Sequence, residues 1–98
     1  MLRQAVRDGY EEGVRAGQAD REDGYRFSPQ DSIGYQDASY GYNSYYVDLP
    51  EYNYYFREGF RRGYEDGFYS RSRYGTQSNG VFSLISGVLQ TILNLQRY

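Results

Sequence analysis

Residues 7–18 read RDGYEEGVRAGQ and residues 57–68 read REGFRRGYEDGF, and these two stretches, the first and second glycine cassettes, decide the fold. Each cassette has three glycines at a spacing of four residues, and an offset of fifty residues superimposes one on the other. A spacing of four keeps residues on one face of an α-helix, so each cassette predicts a helix with a groove that lacks side chains. The predicted helix-packing residues are Gly9, Gly13, Gly17, Gly59, Gly63 and Gly67.

Close packing of these grooves would offset an energetic cost. Each interior glycine weakens a helix by about 1 kcal/mol relative to alanine, so a cassette gives up about 3 kcal/mol. A mostly apolar ridge flanks each groove and makes the surface amphipathic. The alternative is that the glycines mark turns in a Gly/Tyr-rich loop, but the strict period and the helix-forming residues between the glycines favour helices. The ridge residues are Tyr10, Val14, Gln18, Phe60, Tyr64 and Phe68.

Charges beside the glycines constrain how the cassettes pair. Equivalent positions carry opposite charges, so a parallel pair in register within one chain places acids opposite bases. An antiparallel pair within one chain brings like charges together. An antiparallel pair of identical cassettes from two chains again places acids opposite bases. Exposed ion pairs contribute only about 0–1 kcal/mol each, so both favourable pairings stay open. The matched positions are Glu11 with Arg61, Glu12 with Arg62, and Arg15 with Glu65.

The whole chain is predicted to form a single all-α domain over residues 1–98. Gly24 suits the end of the first helix, and Asp48 is a candidate N-cap of the second, with Pro50 tolerated in its first turn. The predicted segments are the first cassette helix (1–24, helical at about 2–22), a Tyr-rich irregular loop (25–47), the second cassette helix (48–69, helical at about 50–69), a polar linker (70–79) and an apolar helix (80–98, helical at about 80–96).

The C-terminal segment is by far the most apolar part of the chain. Residues 81–95, VFSLISGVLQTILNL, have nine large apolar side chains and no charge. At about fifteen residues the segment is shorter than the roughly 20 that cross a bilayer, so a buried helix is expected. A helix that is apolar around most of its circumference must be covered on several sides, which predicts an interface between copies of the chain. The predicted interface residues are Val81, Leu84, Ile85, Val88, Leu89, Ile92 and Leu93.

Tyrosines in the central loop form a second candidate surface. Tyrosine offers a large contact area at low entropic cost and stacks on guanidinium groups and sugars. We therefore consider a surface for a glycan or a peptide, with the alternative that the rings only cover the apolar helix. The candidate ligand-binding residues are Tyr35, Tyr40, Tyr42, Tyr45 and Tyr46.

The amino-acid composition argues against most kinds of catalysis and metal binding. Cys, His, Lys and Trp are absent, which excludes thiolate, imidazole and amine catalysis and the usual nitrogen and sulfur ligands of zinc. The acidic clusters have arginines beside them, and no pair of nucleophile and base is recognisable. We therefore expect no enzyme, no catalytic residue, no cofactor and no metal site. A net charge of −2 also argues against a nucleic-acid partner.

The cassettes with their aromatic flanks also point to a group of proteins. The stretches RDGYEEGVRAGQADREDGY and YYFREGFRRGYEDGFYSRSRYG resemble repeats in uncharacterised Tyr/Gly/Arg-rich bacterial proteins that are usually predicted to be exported. This resemblance implies an extracellular or envelope location and brings no activity or site residues with it. The N-terminal MLRQAVRDGY has no apolar segment of a signal peptide, so a cytoplasmic location is the alternative.

Taken together, the sequence predicts a non-enzymatic structural protein that associates with itself as a homo-oligomer. If the cassettes and the C-terminal helix both contact other copies, two different interfaces per chain can build a filament. The alternatives are a binding module that uses the tyrosine loop, and a peripheral membrane protein anchored by the C-terminal helix.

Overall fold

Two long parallel helices form the frame of the protein. The structure, a computed structural model, describes residues 2–45, 47–78 and 80–94. Its elements in chain order are helix α1 (Leu2–Glu22), a 3-10 helix (Pro29–Asp31), α2 (Ile33–Asp37), α3 (Leu49–Phe68), strand β1 (Gly75–Ser78), strand β2 (Val81–Leu84) and α4 (Ser86–Asn94). Both predicted cassette helices are therefore confirmed, and the fold is mostly helical with a small antiparallel hairpin that an all-α prediction leaves out.

The six cassette glycines all lie in the contact between α1 and α3. A Cβ atom at Gly9, Gly13 or Gly17 would overlap the carbonyl oxygen of Phe56, Phe60 or Tyr64. The residue numbers of the contacting positions increase together along the two helices, so the helices run parallel. The six predicted packing glycines thus lie at this contact, and of the two pairings that the charges left open, the structure has the parallel pair in register within one chain.

The contact is symmetric between the two cassettes. Gly59, Gly63 and Gly67 of α3 approach the carbonyl oxygens of α1 in the same way. Each glycine meets the residue three positions before the equivalent glycine of the other helix. Because a glycine hydrogen points along the direction that a Cβ would take, these are Cα–H···O contacts of about 0.5–1 kcal/mol each. They offset most of the roughly 1 kcal/mol that each glycine costs its helix. The α1 oxygens belong to Val6, Tyr10 and Val14.

The expected charge complementarity across this contact is not seen. Among the described residues, no ion pair joins α1 to α3. Arg15 pairs with Glu11 of its own helix at 2.6 Å, and Arg62 pairs with Glu58 at 3.0 Å. Arginine side chains reach a carboxylate one turn away more easily than they reach across, since glycines and carbonyl groups occupy the seam. The parallel helices therefore contact each other through their backbones and not through ion pairs between acidic and basic side chains.

An aromatic column runs along α3 beside the glycine seam. Rings at a spacing of four residues follow one another from Tyr52 to Phe68, with centroids 5.9–6.3 Å apart. The first four of these rings are fully or almost fully buried. Apolar contact of this extent supplies the main driving force for folding a chain that is hydrophilic on average. The five rings are Tyr52, Phe56, Phe60, Tyr64 and Phe68.

Tyrosine hydroxyls reach across the seam to aspartates. Tyr10 of α1 donates a hydrogen bond to Asp66 of α3 at 2.8 Å, and Tyr64 of α3 donates one to Asp20 of α1. In the register of the repeat, both aspartates lie six positions ahead of the tyrosine on the opposite helix. The bonds therefore run in both directions across the contact and oppose any change of register.

The segment predicted as an irregular loop is partly helical. Residues 25–47 contain the 3-10 helix and α2, and short turns of this kind need no apolar stripe of their own. Pro29 begins the 3-10 helix and is buried. Arg57 of α3 holds the end of α2 by donating hydrogen bonds to the carbonyl oxygens of Tyr35 (2.9 Å) and Gln36 (2.7 Å). The segment is thus tied down by hydrogen bonds from α3 to its backbone.

The predicted helix over residues 80–96 is wrong in its first part. Residues 81–84 form strand β2, which pairs antiparallel with β1, and only Ser86–Asn94 are helical. The polar linker 70–79 accordingly contains β1 rather than only irregular chain. Gly80 has φ +78°, the left-handed conformation that a tight hairpin turn requires. The predicted end at about residue 96 lies outside the described residues.

Candidate functional site: the C-terminal hairpin and helix

A buried carboxylate at the end of α3 fixes the start of the hairpin. Asp66 is 3% exposed and accepts three hydrogen bonds. The donors are the hydroxyl of Tyr10 at 2.8 Å and the backbone N–H groups of Arg73 at 3.1 Å and Tyr74 at 2.9 Å. Because an ionised carboxylate offers several acceptor sites, one side chain ties α1, α3 and the chain leading into β1 together.

The environment of Tyr10 keeps its hydroxyl protonated. Burial raises the pKa of Tyr10 well above its ordinary value, and the hydrogen bond to Asp66 and the charge of that carboxylate raise it further. A neutral phenol is the form that can donate to Asp66. This bond therefore persists over the whole physiological pH range.

Strand β1 lies against α1 at one glycine. A Cβ atom at Gly75 would come within 2.7 Å of the Tyr10 ring and 2.6 Å of the Ser83 carbonyl oxygen. Phe82 of β2 packs below the guanidinium of Arg15, whose carbon lies 5.4 Å from the ring centroid. The hairpin is consequently seated on α1 by one bare backbone position and one aromatic ring.

The C-terminal segment, from β2 through α4, buries some of its apolar side chains and exposes others. Leu89 and Ile92 belong to the core of the single chain. By contrast, Val81 of β2 is 62% exposed, Ile85 between β2 and α4 is 46% exposed, and Val88 of α4 is half-buried. We call these last three residues the C-terminal patch. Two of its residues, Ile85 and Val88, line a surface depression of about 490 Å³, together with Arg62, Arg73, Tyr74, Gly87 and Thr91.

The structure divides the predicted interface residues into two sets. Leu89 and Ile92 are used inside the chain, so they cannot also meet a second copy without unfolding α4. Leu84, Val88 and Leu93 are partly buried against the core and serve mainly to seat the segment. Of the predicted interface residues, only Val81 and Ile85 of the C-terminal patch are exposed.

The predicted tyrosine surface is also divided. Tyr35 and Tyr42 are half-buried and pack edge-on against Phe60 and Tyr52 of α3, so they attach the loop to the frame. Tyr40 and Tyr45 are exposed, while Tyr46 lies outside the described residues. A glycan or peptide surface in this loop stays a prediction, reduced to the exposed rings.

Asp66 and Tyr10 are the positioning residues that the repeat pattern did not reveal. The first cassette has Ala16 where the second has Asp66, so the repeat itself gives no reason to expect a buried carboxylate. In a parallel pair of cassettes, Asp66 lies six positions ahead of the residue equivalent to Tyr10 on the other helix. The sequence indicates this contact only if parallel pairing is assumed first.

Comparisons with known proteins assign the chain to no family. No family model, no curated protein and no solved structure matches the chain. The resemblance to Tyr/Gly/Arg-rich exported proteins and the extracellular location that it implies therefore stay predictions. Within residues 2–45, 47–78 and 80–94, no group of three metal-binding side chains could hold an ion. Across the same part of the chain, no helix combines the length and apolarity needed to cross a bilayer.

Proposed function

We propose that the protein is a non-enzymatic structural protein that associates with a second copy of itself through the C-terminal patch. The observation that carries this proposal is the two-sided character of the most apolar segment, which is buried at Leu89 and Ile92 but exposed at Val81 and Ile85. Apolar side chains grouped on one surface are typical of interaction sites.

The outer edge of β2 supports the same pairing. The N–H of Ile85 donates a hydrogen bond to the carbonyl oxygen of Tyr74 at 3.0 Å. Hydrogen-bonded and non-hydrogen-bonded pairs alternate along an antiparallel ladder, so the backbone N–H and C=O groups of Phe82 and Leu84 point away from β1. In the described part of the chain, those outward groups have no backbone partner. The strand sequence VFSL has no charge or proline, which are the features that usually protect an edge strand from pairing.

A second copy fits this edge by symmetry. Two β2 strands can pair antiparallel about a two-fold axis, which extends a two-stranded hairpin into a four-stranded sheet and covers the patch on both chains. The cassettes already pair within one chain, so they do not supply the second interface that a filament would need. A closed dimer is therefore the form of association that we propose.

Light scattering coupled to size-exclusion chromatography tests this function. The wild-type protein is expected to have twice the mass of the 11.5 kDa chain, and this mass should fall on dilution. Ile85→Asp places a charge in the patch at an exposed position, so the chain should fold but elute as a monomer. Ile33→Asp, the same change at an exposed position of α2, is the matched control and should leave the mass unchanged.

Two outcomes would contradict the proposal. A wild-type protein that is monomeric at every concentration, in the presence and absence of lipid, would remove self-association. A monomer that binds vesicles through the patch would instead favour the peripheral membrane alternative.

A further inference from the structure

Helix α2 exposes an apolar side chain that the fold does not use. None of its residues is buried, and Ile33 at its first position is 84% exposed. An isoleucine in this position contributes almost no hydrophobic stabilisation to the chain, since that term follows the apolar area removed from water. The backbone of α2 is nevertheless held in place by Arg57, so Ile33 is presented from a fixed element.

Ile33 stands at the mouth of the largest depression described on the molecule. This α1–α2 groove has a volume of about 670 Å³ and is mostly apolar. Small residues keep it open, with Ala16 and Ala19 on α1 and Gly34 on α2. A Cβ atom at Gly34 would lie 3.2 Å from the Phe60 ring, which forms the floor. Volumes of 300–1,000 Å³ with apolar walls and a few polar groups are typical of binding sites.

The charges around the groove are mainly negative. Glu12, Asp20 and Asp37 contribute three carboxylates to its lining, against the single guanidinium of Arg15. Arg15 lies 2.6 Å from Glu11 and 3.6 Å from Glu12, so it offsets one of the three carboxylates and leaves the lining with a net negative charge. The groove therefore favours a cationic occupant over a neutral or an acidic one.

We propose that the α1–α2 groove binds a peptide segment of a partner protein in which a large apolar side chain lies next to an arginine or a lysine. The apolar side chain covers Ile33 and the alanines of α1, and the neighbouring cation faces Asp37. The groove is open along one side, which suits an extended segment better than a small ligand that must be enclosed. Apolar anchors surrounded by polar groups are the usual source of affinity in such contacts.

Fluorescence polarisation with defined peptides tests this assignment. The probe is a fluorescein-labelled hexapeptide with two leucines flanked by arginines. Two further hexapeptides, one with glutamates in place of the arginines and one with serines in place of the leucines, serve as probe controls. Only the first is expected to bind saturably, and added salt should weaken its binding.

Variants locate the binding on the protein. Ile33→Asp is expected to weaken the affinity for the arginine–leucine peptide by at least about tenfold, as loss of an apolar anchor does. Asp37→Asn should weaken it less and reduce its salt dependence. Ile85→Asp, in the C-terminal patch, should leave it unchanged. The two depressions share no lining residue, so failure of self-association and failure of peptide binding are separate results.

Three outcomes would overturn the proposal. One is equal binding of the arginine and glutamate peptides, and another is an Ile33→Asp variant that binds like the wild type while its circular dichroism shows the native fold. The third is loss of self-association in Ile33→Asp, which would identify a second copy of this chain as the occupant of the groove.

Discussion

A glycine in the interior of a helix usually weakens it, and here six of them are where the two main helices meet. Each lies against a carbonyl group of the opposite helix rather than against a side chain. The stabilisation that offsets the weaker helix propensity comes from the close approach of two backbones, which a single methyl group would prevent. The role of these residues could be predicted because a strict period of four has few explanations other than a helix face.

Gly13→Ala should therefore destabilise the protein despite its better helix propensity. A methyl group at Gly13 would overlap the Phe60 carbonyl oxygen and approach the Tyr64 nitrogen at 2.8 Å, and backbone atoms cannot move aside cheaply. We expect a loss of about 1–3 kcal/mol in the free energy of unfolding, measured by urea denaturation.

Gly87→Ala is the matched control for that substitution. Gly87 lies in α4, and no atom stands within 4 Å of the position that its Cβ would take. There the gain in helix propensity acts alone, so stability should rise by up to about 1 kcal/mol. If both alanines stabilised the protein, close contact at Gly13 would be refuted.

At the scale of elements, the two long helices were predicted from the sequence and the hairpin was missed. The cassette helices carry a long periodic signal, whereas residues 81–84 belong to an apolar run that fits a helix equally well. The dipeptide Asn79-Gly80 before this run is a strong sequence signal for a hairpin turn, and the helix prediction passed over it. What fixes the hairpin in place is Asp66, whose hydrogen bonds join three separate parts of the chain and leave no local pattern.

Asp66→Ala is expected to release the hairpin from the frame. The substitution leaves the Tyr10 hydroxyl and two backbone N–H groups without their acceptor, so we expect a loss of about 2–3 kcal/mol in unfolding free energy. Hydrogen exchange of the Arg73 and Tyr74 amides should accelerate at the same time.

Glu65→Ala provides the comparison at the neighbouring position. Glu65 pairs with Arg71 and Arg73 at a partly exposed site, where ion pairs contribute about 0–1 kcal/mol. Equal effects of the two alanines would show that Asp66 is only one more surface charge.

At the scale of the whole molecule, stability should depend on keeping buried tyrosines neutral. Burial, aided by the hydrogen bond to Asp20, raises the pKa of Tyr64 to about 12. Burial is also the main cause that raises the pKa of Tyr10, with Asp66 adding to it, and that of Tyr52, with Asp8 adding to it. All three phenols lie in or beside the contact of α1 with α3, so their ionisation and the integrity of the frame are coupled.

The sign of the resulting pH dependence is fixed by these shifts. An unfolded tyrosine loses its proton near pH 10, whereas the folded protein retains it, so the stabilisation is complete below pH 10. It is lost as the pH rises from about 10 through the folded pKa of Tyr64 at about 12. Urea denaturation at a series of alkaline pH values, followed with phenolate absorbance, should show stability falling over this interval. A constant free energy of unfolding up to pH 12 would contradict the burial of these hydroxyls.

The interlocking of the two long helices has a mechanical consequence. With a carbonyl group seated at every glycine, a small slide of one helix along the other would drive oxygen atoms into Cα atoms. The next free position lies four residues away, a step of about 6 Å. The tyrosine–aspartate bonds would have to break before that step could occur. Under a shearing force, α1 and α3 should therefore move together as one rigid unit. Any hinge must lie in the segments attached to them.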